Sequence, residues 1–275
     1  MPYYTSGDAE LSYEIVGAAG RGADLVLLHP TPVHNAFWFP ASEGFSPNYR
    51  VILPDLRGHG KSHAGEGPIT IRRLAEDIQR LLDMMGIERA LFAGCSIGSH
   101  TLFELWRRIP RRIDAMAFCC GKPHPDSPAN QQRREQWIAE IRAHGPDHYF
   151  EVMSETLLGK TARHRDPGKV IEARAMMQSM LPETVIAIQR ALASRPDSLP
   201  TAATVTVPTC IIAGGEDQSS TPQEMKELAE AIRSSGYRSE FHLIPNAGHY
   251  APWEQPEVVG SILGRFFDSV AAGDG

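Results

Sequence analysis

Short apolar runs alternate with amphipathic stretches along most of this 275-residue chain. "ELSYEIVG" switches between apolar and polar at a period of two, which predicts an edge or half-buried strand. Other runs are apolar nearly throughout: "DLVLLH" (Asp24 to His29), "RVILPD" (Arg50 to Asp55), "RALFAG" (Arg89 to Gly94), "IDAMAF" (Ile113 to Phe118), "PTCIIAG" (Pro208 to Gly214) and "EFHLIP" (Glu240 to Pro245). Runs of this length predict strands buried on both faces. Between them, "TIRRLAEDIQRLLDMMG", "SHTLFELWRRIP", "PQEMKELAEAIRSSG" and "PEVVGSILGRFFDSV" space their apolar residues as a helix does. Each opens at Pro or closes at Gly or Pro, as helix boundaries do. The alternation predicts a mostly parallel central sheet flanked by helices.

One stretch breaks the rhythm. From Lys122 to Pro200 no strand pattern appears, only helical spacing cut by "HGPD", "RDPG" and "MLPE". The proline-bearing segments "GKPHPDSPAN" and "SRPDSLPTAA" bound it. This predicts a helical insertion between two strands, dividing the chain into 1–121, 122–200 and 201–275.

Composition narrows the picture modestly. The formal net charge of -6 argues against a polyanionic partner such as nucleic acid. No apolar run is long enough to span a bilayer, so no membrane partner is expected. The start, "MPYYTSGDAELSYEIVG", lacks the basic flank and apolar stretch of a secretory signal. The cysteines (Cys95, Cys119, Cys120 and Cys210) have neither paired metal spacing nor disulfide-framework density. A reduced, cytoplasmic protein, monomeric or homodimeric, is the expectation.

The chemistry concentrates where "RALFAG" runs into "CSIGSHTLF". A strand that ends in G-x-S-x-G and enters a helix places the central residue on a tight, strained turn. Ser96 would stand at the tip, at a helix N-terminus that favours a developing anion. Cys95 would point back into the core as a small hydrophobe. A serine hydroxyl needs a base, and the base needs an acid to orient it. Asp217 in "AGGEDQSSTP" and His249 in "IPNAGHYAPWEQP" both follow predicted strands. In a parallel sheet such loops gather on one side. Ser96, Asp217 and His249 thus form a candidate nucleophile–acid–base set in that chain order.

These segments, with "LLHPTP" and "PDLRGHGKS", resemble the α/β-hydrolase superfamily, and within it the capped esterase, lactonase and haloperoxidase group that includes 3-oxoadipate enol-lactonases. The resemblance implies the α/β-hydrolase fold, a helical cap of four helices at 122–200, no cofactor, and a small ester or lactone as partner. It also implies an oxyanion hole from the amide after the nucleophile, Ile97, and from a loop usually written His-Gly-x. Here that loop reads His29-Pro30-Thr31-Pro32, and neither proline has an N–H, which leaves the Thr31 amide as donor. Some relatives supply the acid from the preceding strand end, where this chain has Asp126; Asp217 holds the more usual position.

Other residues are weighed against blander roles. His29, His34, His59 and His63 lack carboxylates at ligand spacing, so no metal is expected, and His59 in the family loop "RGHGKS" is read as structural. Cys119 and Cys120 are read as core thiols, "RRIPRR" as a solvated helix end, and His100 as a packing residue near the site. In the cap, "YFEVMSETLL" suggests that Phe150, Met153 and Leu157 face the serine, with Trp253 at the rim, making a mostly apolar pocket. The expected reaction is hydrolysis of a small, fairly hydrophobic ester or lactone through an acyl-enzyme. The alternatives on the same residues are a cofactor-free haloperoxidase or perhydrolase, a carbon–carbon bond hydrolase or lyase, and a small-molecule receptor.

Overall fold

A computed structural model describes residues 2–17, 22–45 and 49–273; the chain ends at 1 and 275 lie outside them. The strands are β1 (Tyr3–Ser6), β2 (Ala9–Gly17), β3 (Asp24–Leu28), β4 (Arg50–Pro54), β5 (Ala90–Cys95), β6 (Ile113–Cys119), β7 (Thr209–Gly214) and β8 (Ser239–Ile244). They form one sheet in the order β1-β2-β4-β3-β5-β6-β7-β8. From β4 onward all neighbours are parallel, while β1 and β2 add an antiparallel edge. The apolar runs became β3 to β8, and every residue of β5 and β7 is buried. "EFHLIP", expected to be buried on both faces, is instead the edge strand β8. It is half-buried from Glu240 to His242 and exposed at Leu243, because no strand among the described residues lies beyond it. β1 was not expected. Its four residues are too few to show a period, and pairing with β2 is what holds them extended.

Helices cover the sheet through one apolar face each. In Ile71–Met84 the buried residues include Ile71, Leu74, Ala75, Ile78, Leu81 and Leu82, the i, i+3, i+4, i+7 stripe of an amphipathic helix. The Thr70 hydroxyl caps its start by accepting the Arg73 amide at 3.0 Å. Pro222–Arg233 opens with a capping box between Thr221 and Glu224. Among the described residues no helix is long and apolar enough to cross a membrane.

The chain between β6 and β7 is helical: Pro128–His144, Asp147–Thr156, Lys160–Arg165, Gly168–Met177, Pro182–Ala193 and a final turn, Leu199–Ala202. The short Lys160–Arg165 helix exceeds the four expected. It is only six residues long and its start is set by distant partners, the Thr161 amide and hydroxyl both donating to Glu216. Pro128–His144 packs against Pro182–Ala193, and Asp147–Thr156 against Gly168–Met177.

Candidate active site

β5 hands the chain to the helix Ile97–Arg108 through a single residue, Ser96, at φ 53° and ψ -114°. L-residues seldom adopt that conformation. Its backbone is held on both sides: the Ser96 amide donates to Cys119 O at 3.0 Å, and Ser96 O accepts from the His100 amide at 3.1 Å. The flanking glycines are required by contact. A Cβ on Gly94 would lie 2.5 Å from the Gly98 carbonyl carbon, and one on Gly98 would lie 2.3 Å from Leu28 O. Ser96 is half-buried and lines a cavity of about 240 Å³. Cys95 is wholly buried, its Sγ 3.6 Å from His249 O, and burial pushes its thiol well up. A buried thiol kept protonated is inert.

Asp217 and His249 come from the loops after β7 and β8, adjacent parallel strands. Asp217 Oδ1 accepts the amides of Ser219 (2.7 Å) and Ser220 (3.0 Å), which fixes the carboxylate. Its Oδ2 lies 2.8 Å from His249 Nδ1. Both residues are buried, and the His249 amide donates to Leu157 O at 2.8 Å. With Nδ1 committed to a carboxylate, Nε2 is the nitrogen left to exchange a proton. His249, Ser96 and Thr31 line the same cavity.

The Thr31 loop is anchored by side chains. Thr31 O accepts from the Tyr250 hydroxyl at 3.1 Å, Thr31 Oγ1 lies 2.9 Å from His59 Nε2, and the Thr31–Pro32 peptide is cis. His29 Nε2 accepts the Leu56 amide at 2.9 Å while Nδ1 donates to Pro30 O at 2.8 Å. Burial holds the His29 and His59 imidazoles down to about 3, so both are neutral. His34 accepts the Ala36 amide. One set of three among the described residues could hold a metal ion, Cys210, Glu240 and His242, whose ligand atoms lie within 4.8 Å of one another; none of them lines the cavity.

Residues 24–256 match a family described as alpha/beta hydrolase fold. The chain belongs to that family. Over 263 residues this hydrolase is 27% identical to 3-oxoadipate enol-lactonase 1 of Acinetobacter baylyi, covering 94% of each chain. A solved structure of a thermophilic esterase from Thermogutta terrifontis, in its malate-bound form, superposes with a TM-score of 0.89 at 31% identity, covering 97% of this chain and 96% of that one. Similarity to the putative carbamate hydrolase RutD of Azorhizobium caulinodans is higher, 36%, but spans only 126 residues, so the chain covers 46% of that relative's length.

The wall of the hydrolase's cavity departs from the apolar pocket expected. Met153 and Leu157 line it, and so does His100. Phe150 and Trp253 do not. Phe150 is 2% exposed and packs edge-on against Tyr149, 5.9 Å between centroids. Trp253 stacks on Phe37 at 6.4 Å, with the Lys169 ammonium 5.3 Å above its ring. In their place stand Lys122, Arg133, Arg134, Arg195, Asp126 and Gln189. Asp126, the alternative acid, pairs with Arg134 and, at 2.7 Å, with Arg195. Burial alone would raise its carboxyl, but the two guanidiniums outweigh that and hold it below the usual range. A signal for this wall stood in the sequence. Lys122 and Asp126 follow the end of β6, where the strand-end rule used for Asp217 applies equally, and Arg133 and Trp137 are spaced i, i+4.

Proposed function

We propose that this hydrolase cleaves a carboxylic ester or lactone through an acyl-enzyme on Ser96. The observation that carries the reading is the His249 imidazole, held by Asp217 through Nδ1 at 2.8 Å, opening on the same cavity as a serine strained at a strand–helix junction. Ser96 Oγ attacks the carbonyl carbon as its proton passes to His249 Nε2. The carbonyl oxygen becomes an oxyanion, taken up by the amides of Thr31 and Ile97. The tetrahedral intermediate collapses, the ester C–O bond breaks, and the proton on Nε2 goes to the leaving alkoxide. Water then attacks the acyl-enzyme with His249 as base, and Ser96 leaves with its proton restored. Asp217 keeps the imidazole in the tautomer that both halves need. Residues 122–200 serve as a cap over the core built from 1–121 and 201–275, and Met153 and Leu157 supply part of the apolar wall, beside Trp137, Tyr149 and Leu192. The enol-lactonase and esterase relatives support the choice of an ester or lactone carbonyl.

A panel of p-nitrophenyl esters, lactones and diketones, with peracid formation from acetate and peroxide as a further arm, tests the reading. Ester or lactone turnover is expected, with loss in Ser96→Ala and a fluorophosphonate adduct on Ser96. An adduct on Cys95, or full activity in Ser96→Ala, would sink the assignment.

A further inference from the structure

The cavity beside Ser96 is far more cationic than the chain around it. The protein carries a formal charge of -6, yet Lys122, Arg133, Arg134 and Arg195 all line this one space, against the single carboxylate of Asp126. Asp126 is already engaged on both oxygens, one with each of two guanidiniums. Lys122 has only a long contact, Nζ to Glu224 Oε1 at 3.6 Å, while the other Glu224 oxygen accepts from Thr221. Even with Glu224 credited, positive charge is left over. His100 adds nothing to it, being neutral: burial and then the charges of Arg195 and Arg134 push its imidazole well down.

The surplus cations also have donors to spare. Arg134 commits Nε to Asp126 and Nη1 to Gln189 Oε1. The Arg195 side chain is 4% exposed; its Nη groups reach Leu192 O, His124 O and Asp126, but its Nε is buried without a partner. Buried donors on a cation are costly to leave unmet, more so than neutral ones. Arg133 is exposed and Arg195 buried, so the positive charge runs from the solvent side to the interior. An ion-pair girder joining the two ends of the helical segment would need Asp126 with Arg134 and Arg195. It would not need Lys122 or Arg133.

Resting on the esterase or lactonase reading, we infer that the substrate carries a carboxylate of its own, separate from the acyl group attacked, and that Lys122, Arg133, Arg134 and Arg195 receive it. Charge-assisted bonds from guanidinium to carboxylate give orientation as well as affinity. A cationic cleft in an acidic protein also steers such a substrate inward.

Two measurements separate this inference from the reaction on which it rests. The first compares p-nitrophenyl hydrogen glutarate with the neutral p-nitrophenyl pentanoate. The expected kcat/KM preference for the anionic ester is about tenfold or more, the factor that one well-made charged contact supplies. It should shrink in high salt and fall in Lys122→Met and Arg133→Glu, chiefly through KM, with Lys122→Arg restoring it. The second is calorimetric titration of the Ser96→Ala protein with glutarate and with dimethyl glutarate. Glutarate should bind more tightly than the diester, and less so once Lys122→Met is added. Binding of glutarate without cleavage of either ester would overturn the reaction and keep the carboxylate site. Cleavage of both esters at equal kcat/KM, with glutarate binding no tighter than the diester, would overturn the carboxylate site and keep the reaction.

Discussion

At Ser96 a φ of 53° stores about 1–3 kcal/mol of backbone strain, held in place by the bonds to Cys119 O and from His100 N. The same single-residue precision governs the two acids near the cavity. Asp217 takes two loop amides on one oxygen and His249 on the other, whereas both Asp126 oxygens go to arginines. Their substitutions should therefore fail differently. Asp217→Asn should fold normally by circular dichroism yet lose about four orders of magnitude in kcat, the cost measured for the same change in the chymotrypsin-type triad. Asp126→Asn weakens a buried ion network, at about 3 kcal/mol, so its main effect should be a lower Tm. A near-normal kcat in Asp217→Asn beside a collapsed one in Asp126→Asn would move the acid to the end of β6.

At the scale of elements, the His249 loop is joined to the helical segment by one buried carboxylate. Glu254 Oε2 accepts the amides of Gly159 and Gly248, each at 2.9 Å, and Oε1 accepts that of Tyr250 at 3.1 Å. Burial raises its carboxyl despite these three donors. Glu254 is thus a positioning residue for His249. Removing it in Glu254→Ala leaves three buried amides unmet, each worth about 1–3 kcal/mol. The expected result is a lower urea midpoint and a kcat that falls more than KM changes, with part of both recovered in Glu254→Gln. A kcat that holds while stability drops would reduce Glu254 to a structural strut. Contacts of this kind also mark where the sequence stopped being legible. β5 and β7 could be read because burial on both faces writes an unbroken apolar run, and Ser96 because the turn dictates its glycines. Asp217 and His249 followed from lying just past strand ends. β1 and Lys160–Arg165 are short and owe their form to distant partners, so no local period announces them. The cavity wall was misread for a related reason. Phe150 and Met153 lie on one short helix, and only the packing of Tyr149 against Trp137, 5.2 Å apart, and of Phe150 into the core decides which of them meets the cavity. The charged wall comes from elsewhere: Lys122 and Asp126 from the loop after β6, Arg133 and Arg134 from Pro128–His144, and Arg195 from just past Pro182–Ala193.

Across the whole molecule, acid should act first through buried imidazoles. His29 and His59 are both fully buried and neutral, their folded values near 3 against an ordinary value of 6.5. Between those limits the unfolded chain takes up protons that the folded chain refuses. Stability is therefore complete above pH 6.5 and falls as pH drops toward 3, by on the order of 3 kcal/mol for each imidazole by pH 4. Paired carboxylates such as Asp126, held below their usual range, push the same way but only below about pH 4, where unfolded carboxyls protonate. A decline in Tm between pH 6.5 and 4.5 thus belongs to the histidines. The same protons would disarm the site. His29 Nε2 accepts the Leu56 amide and could no longer do so once protonated, and His59 holds the Thr31 hydroxyl in the loop proposed to receive the oxyanion. Thermal unfolding from pH 7.5 to 4.5, read beside the C2-proton NMR shifts of His29 and His59, checks this. The Tm should hold nearly level above pH 6.5 and fall from there to 4.5, while the two imidazole resonances stay in place. A level Tm, with both resonances titrating near 6.5, would mean that solvent reaches these rings and that the Thr31 loop is held by something else.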